Sequence, residues 1–357
     1  MSMMSHPLVA KIMRLQGVAG RATSYLPEPV HHKAAELLGY RHDYPELNSH
    51  LKLLLAFRGL RDASLIGDDI EKSRRHFRAE MASIVGTPTA VAEVRDFEIA
   101  GAVGMMRVRH YKPANQVGAA PLLVFYHGGG FVVGDLDTHD EPCRLLCKYG
   151  QMQILSIEYR LAPEHKAPAA VDDCVAALRW AYANAEALGV DSRRIGVGGD
   201  SAGGNLSAVV SQQTKGQDYA PKAQLLIYPV VDLAAKYESH RTFTDGLFLS
   251  QADMDNAKAG YVFDSGLALN NPLVSPLHGA LDGLCPALVV TAGLDVLRDE
   301  GELYAHRLQD AGTSAIFYRV ANQGHGFINI TSINRQAKDA TIRMAQDFRQ
   351  LLDQVAG

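Results

Sequence analysis

Two hydrophobic rhythms divide the chain. Up to about Gly86, apolar residues recur at spacings of three and four among charged ones, as in PELNSHLKLLLAFRGL (45–60) and DDIEKSRRHFRAEMASIVG (68–86). That is the period of helices with one buried face. From Val94 onward the pattern changes to short runs: VRDFEIA, GMMRVRHY, PLLVFY, MQILSIE, RIGVGG, AQLLIYP, ALVVTA and AIFYRV. Several are apolar without alternation, the mark of strands covered on both faces, as in a largely parallel sheet. Helical stretches separate the later runs. One of them, AAVDDCVAALRWAYANAEALG (169–189), puts Val171, Cys174, Leu178 and Ala181 on one side and closes on Gly189.

Strand and helix therefore alternate, and the alternation predicts an α/β fold. Its expected form is a mostly parallel eight-stranded sheet with helices on both faces and an antiparallel hairpin of the first two strands at one edge. The stretch from Asp232 to Pro286 is too long for a single crossover loop and contains a helical piece, SQADMDNAKAGYVF (250–263). The expected division is 1–86 as the helical N-terminal part of a cap and 87–357 as the catalytic domain, with a cap insertion at about 232–272. Both cap pieces would meet over the carboxyl ends of the strands, where open α/β sheets place their ligands.

Composition narrows the function classes. Hydrophobic residues make up 47% of the 357, and no uncharged run is long enough to span a bilayer. The net charge of -4 is spread along the chain, which argues against nucleic acid as a partner. The N-terminal MSMMSHPLVAKIMRLQG is interrupted by Lys11 and Arg14 and lacks a secretory core, so the protein is read as cytoplasmic. Its four cysteines are too few for a disulfide framework. Cys143 and Cys147 could share a helix face, but no further Cys or His pair completes a metal site, and they are read as core. No metal and no organic cofactor is expected; a homodimer is left open.

The candidate chemistry begins at RIGVGGDSAGGN, where Gly199, Asp200, Ser201, Ala202 and Gly203 form a G-x-S-x-G between a strand and a helix. A serine on such a turn is pushed into the open and needs small neighbours. Its hydroxyl also needs a base, and the base needs an orienting acid. Asp295 follows the strand ALVVTA and His325 follows AIFYRV, both at strand ends on the edge that carries Ser201. Asp299 is the rival acid, but with Glu302 it reads as the cap of the next helix. Among the 14 histidines, His31, His32, His50, His76 and His139 lie in helical or loop surroundings without a tie to a strand end. Attack on a carbonyl also needs an oxyanion pocket. The run HGGGF after PLLVFY supplies it: Gly129, Gly130 and Ala202 are the expected N–H donors, Gly128 shapes the loop and His127 fixes it by hydrogen bonding.

Taken in order, HGGGF, EYRLAPE (158–164), GDSAGGN, DVLRDEG and HGF resemble the hormone-sensitive lipase-like family of α/β-hydrolases, over roughly residues 90–355. The resemblance implies a serine carboxylesterase for short- to medium-chain acyl esters, with Ser201, Asp295 and His325 as triad. It also implies supporting roles in the loop network for Asp200 and Glu158. Val296 departs from the proline common after the acid, which predicts a looser acid loop. The same machinery would serve an acyltransferase, amidase or lactonase. A non-catalytic small-molecule receptor on this scaffold would have no need of His325.

Overall fold

The computed structural model describes residues 17–42, 44–59, 64–243 and 247–356, so the reading of the N-terminal segment 1–16 lies outside the described residues. Helices α1 (Glu28–Leu37), α2 (Ser49–Gly59) and α3 (Ile70–Ile84) lead into strand β1 (Glu93–Ala100). In α3 the Asp69 side chain caps the helix by accepting from Lys72 N at 2.9 Å, and Ser73, Phe77 and Met81 form the buried stripe that the sequence spacing predicts.

Strands β2 (Met105–Lys112), β3 (Ala120–Tyr126), β4 (Gln153–Ile157), β5 (Val190–Asp200), β6 (Gln224–Ile227), β7 (Ala287–Leu294) and β8 (Ala315–Gly324) follow. All eight strands join one sheet in the order β1-β2-β4-β3-β5-β6-β7-β8. The β1–β2 and β2–β4 pairs are antiparallel and the remaining pairs are parallel. The difference is visible in burial. Every residue of β3, β4, β6 and β7 is buried, whereas β1 and β2 have exposed positions, as an edge hairpin should.

Helices α4 (Asp140–Gly150), α5 (Ala169–Ala183), α6 (Ala185–Leu188), α7 (Ala202–Gln213), α8 (Glu238–Thr242), α9 (Gln251–Tyr261), α10 (Arg298–Asp310) and α11 (Arg335–Ala356) complete the layers. The single helix expected over 169–189 is two, α5 and α6, broken at Asn184 and ended by Gly189 at φ 68°. Strands β7 and β8 run on to Leu294 and Gly324, beyond their apolar cores, so Asp295 and His325 follow the sheet directly. Sheet order reverses between β4-β3 and β3-β5, the kind of switch point where a crevice opens at the carboxyl ends. Among the described residues no helix is long and apolar enough to cross a membrane.

Helix α9 is tied to the segment before α3. Asp253 accepts hydrogen bonds from Ser64 Oγ (2.6 Å) and Ile66 N (2.9 Å), while Asn256 Nδ2 donates to Ile66 O at 2.7 Å.

Candidate active site

Ser201 sits between β5 and α7 at φ 55°, ψ -116°, a conformation that costs an L residue roughly 1–3 kcal/mol. Its surroundings hold it there: Ser201 N donates to Ile227 O at 2.9 Å, and Asn205 N donates to Ser201 O at 3.0 Å. The flanking glycines are a matter of space. A Cβ on Gly199 would lie 2.1 Å from Tyr126 O, and one on Gly203 would lie 1.8 Å from the same atom. The G-x-S-x-G spacing is thus set by the end of β3 running against the turn.

His325 lies between the other two candidates. Its Nε2 is 2.9 Å from Ser201 Oγ and its Nδ1 is 2.8 Å from Asp295 Oδ2. Asp295 is 1% exposed, and its second oxygen accepts from Leu297 N at 3.0 Å. Asp299 is occupied elsewhere: it accepts from Ser239 N (2.8 Å) and Arg298 Nε (2.9 Å). It lies inside the first turn of α10, whose N-cap is Leu297, so the expectation that Asp299 caps the helix is corrected. The acid loop is also not loose. Val296 is buried, and its carbonyl accepts from Ser239 Oγ at 2.7 Å, which holds the backbone in the absence of a proline ring.

The glycine run faces the same crevice. Gly129 and Gly130 adopt φ 117° and 60°, and a Cβ on Gly129 would lie 2.1 Å from Val133 O. Among the described residues no hydrogen bond takes up the N–H of Gly129 or Gly130, and Ala202, first in α7, has no intrahelical acceptor. Gly128 N donates to Asp200 Oδ1 at 2.8 Å, at an approach so close that a Cβ on Gly128 would lie 2.4 Å from Asp200 Oδ2. Glu158 stands apart, its half-buried carboxylate paired with Arg107 of β2 at 3.1 Å. The carboxylates bonded around the loop are instead Asp200 and Asp135, the latter accepting from Arg78 Nε at 2.6 Å.

His127 is fully buried. Its Nδ1 donates to Gly128 O (2.8 Å), its ring stacks on Tyr159 with centroids 4.3 Å apart, and Tyr159 OH donates to His127 O at 2.7 Å. Burial first, and neighbouring His139 second, push its pKa down to about 4. In the unfolded chain an imidazole titrates near 6.5, so between those values the unfolded state takes up a proton that the folded state refuses. The His127 contribution is complete above about pH 6.5 and is lost as pH falls toward 4, a loss on the order of 3 kcal/mol. Urea unfolding at pH 7.5 and pH 4.5 should show this drop, and His127→Gln should reduce it. An unchanged drop in that variant would contradict the assignment.

The comparisons with known proteins bear on this geometry. A family profile described as alpha/beta hydrolase fold matches residues 123–329, more than half of the chain. The carboxylic ester hydrolase LipN of Mycobacterium tuberculosis is 44% identical over 301 residues, 82% of this chain and 80% of that protein. The chain belongs to the hormone-sensitive lipase-like α/β-hydrolases. This hydrolase is also 32% identical to the ethyl acetate hydrolase of Pseudomonas putida, over 86% of its own length and 99% of the relative's. Its fold superposes on the crystal structure of a thermostable esterase from Pseudomonas putida ECU1011 with a TM-score of 0.82, 31% identity and coverage of 87% and 99%. An ester-hydrolase from the metagenome of Lake Arreo, complexed with a derivative of bipyridine phosphonate, gives 0.80 at 38% identity, covering 86% and 98%. The hydrolase is an enzyme that hydrolyses carboxylic esters.

Several groups around the hydrolase's crevice escape sequence reasoning. From α3, Arg74 donates to Val132 O (2.9 Å) and Ala162 O (2.9 Å) and pairs with Glu164. On the sequence those positions only mark a solvated helix face. Glu300, 1% exposed, accepts from Val231 N (2.7 Å) and His240 Nε2 (3.1 Å), anchoring the loop after β6. His139, set aside as a loop histidine, does reach a strand end: it lies 3.2 Å from Asp200. The loop that follows the glycines folds back over the end of β5, a return that no local spacing announces.

Proposed function

We propose that this hydrolase is a serine carboxylesterase for short- to medium-chain acyl esters, working through an acyl-enzyme. The placement of His325 within 2.9 Å of Ser201 Oγ and 2.8 Å of Asp295 carries the reading. In the proposed cycle Ser201 Oγ attacks the ester carbonyl and gives its proton to His325 Nε2. Asp295 accepts the Nδ1–H bond and so holds the tautomer that leaves Nε2 free to take the proton. The N–H groups of Gly129, Gly130 and Ala202 receive the oxyanion, each donor contributing roughly 3 kcal/mol to the barrier reduction. His325 then protonates the leaving alkoxide, and water admitted to the same place is deprotonated by His325 to release the acid.

The cavity above Ser201 supports a small substrate. It measures about 200 Å³ and is lined by apolar side chains including Ile66, Phe77, Met81, Phe248 and Leu249. That is below the roughly 300–1,000 Å³ of sites for drug-sized ligands, which favours a short acyl group. The segment around α1 to α3 and the insertion carrying α9 form the cap in this reading. A Cβ on Gly130 would lie 2.7 Å from Ile66 Cδ1 and 2.9 Å from Ala257 Cβ, so the cap packs directly on the oxyanion loop.

A series of aryl esters from acetate to dodecanoate, with and without an added alcohol, tests the reading. The expected result is fastest turnover at short chain length, with free acid as the main product; preference for long chains, or ester exchange as the main reaction, would overturn it. In the same assay Gly129→Ala should lower kcat about 100-fold at every chain length. Its Cβ forces the loop off Val133 O, so some stability is lost as well. Unchanged kcat would remove Gly129 from the oxyanion role.

A further inference from the structure

The partners of His139 constrain where its protons can sit. Thr138 Oγ1 lies 2.9 Å from both Asp135 O and His139 Nδ1. The hydroxyl has one proton, and the carbonyl can only accept it, so the Nδ1 contact is an N–H of His139 donating to the hydroxyl oxygen. On the other side of the ring, Nε2 faces Asp200 Oδ1 at 3.2 Å. A carboxylate can only accept, so at this ion-pair distance a protonated Nε2 is the form that Asp200 attracts. Asn329 lies 3.2 Å from the same Nε2, and among the described residues its Oδ1 is buried without a partner; the amide orientation that turns Oδ1 toward the ring is the one that goes with a proton on Nε2.

We propose that His139 is held as a buried imidazolium whose charge keeps Asp200 ionised, and that through Asp200 it positions the glycine loop of the oxyanion hole. The inference deepens the esterase reading and rests on it for the role of that loop. His139 is 1% exposed and Asp200 3%. Neither charge would be stable alone at such depth, and together they satisfy each other. Asp200 directly precedes Ser201 and binds Gly128 N, so one carboxylate joins the nucleophile's turn to the loop that presents Gly129 and Gly130. His139 is a positioning residue in this scheme; it acts on the reaction through Asp200.

The other ionisable groups around the pair are compatible with it. Tyr228 OH approaches Asp200 Oδ2 at 3.4 Å, the His127 ring lies 5.5 Å from that of His139, and Asp135, Cys143, Tyr159 and His325 also face the pair. Burial opposes the charge on Asp200, yet His139 and the Gly128 N–H outweigh it and hold the carboxyl below its ordinary range. His127 stays neutral beside them, driven down mainly by its own burial.

Nitrogen-15 NMR of histidine-labelled protein tests the charge. The ring resonances that vanish in His139→Gln should show both nitrogens protonated at pH 7.5, and a singly protonated imidazole there would overturn the proposal. If His139→Gln fails to fold, Asp200→Asn decides: with the carboxylate gone, one imidazolium at pH 7.5 should become a neutral ring, and persistence of the charged form overturns the pairing. Steady-state kinetics tests the positioning. His139→Gln should lower kcat about 10- to 100-fold with little change in KM. In an Asp200→Asn background the same substitution should cost far less, because the two residues act through one contact. Equal losses in both backgrounds, or an unchanged kcat, would overturn the role. Ester turnover indifferent to Ser201→Ala would remove the serine mechanism on which this role of the loop rests, while leaving the NMR result as it stands.

Discussion

Ser201→Ala is expected to lower kcat/KM for an aryl acetate by roughly 10⁴- to 10⁶-fold, the scale seen when the nucleophile of a cooperating triad is removed. The fold should be untouched. The side-chain oxygen bonds to His325, and the features that build the turn are backbone ones: Ser201 N to Ile227 O, Asn205 N to Ser201 O, and the bare glycines at 199 and 203. Alanine bears φ 55° about as well as serine, because both carry a Cβ. The thermal midpoint should therefore stay within about 2 °C of wild type, a shift that corresponds to roughly 1–2 kcal/mol in a domain of this size. Substantial residual hydrolysis with an intact fold would mean that another group attacks the ester.

The second large effect is expected from the base and its acid. His325→Ala should approach the loss of Ser201→Ala, because a serine hydroxyl without a base is a poor nucleophile near neutral pH. Asp295→Asn should cost about 10⁴-fold. The amide can keep the Leu297 N contact through its oxygen, but it presents N–H where a carboxylate oxygen accepted from His325 Nδ1, and the imidazole is left in the wrong tautomer. Asp299→Asn serves as the control. Asp299 bonds Ser239 N and Arg298, so its change should reach the acid loop only through α8 and leave most of the activity. A larger loss at Asp299 than at Asp295 would reverse the assignment of the acid.

The sequence made the sheet legible because the strands buried on both faces announce themselves as apolar runs bounded by glycine and proline. It also placed Ser201, Asp295 and His325 at three strand ends, since each follows an apolar run directly and the sheet brings strand ends together. Elements that depend on tertiary return were hidden. His139 lies in a loop and reaches Asp200 only because the chain after Gly134 folds back over β5. Arg74 and Arg78 have the spacing of an exposed helix face, and their roles at Val132, Ala162 and Asp135 appear only when α3 is laid across the loop. Glu158, given a supporting role by the family resemblance, pairs with Arg107 on the neighbouring strand, a partner that only the strand register reveals. The fixed acid loop belongs with these cases, because the Ser239 that holds Val296 O lies 57 residues away.

The central claim is that Ser201, activated by His325, forms the covalent bond to substrate. Incubation with an aryl alkylphosphonate followed by peptide mapping by mass spectrometry tests it most directly. The account predicts one phosphonyl adduct per chain, located on Ser201, formed far more slowly in His325→Ala and absent in Ser201→Ala. An adduct on another residue, or equal labelling of the Ser201→Ala protein, would contradict it.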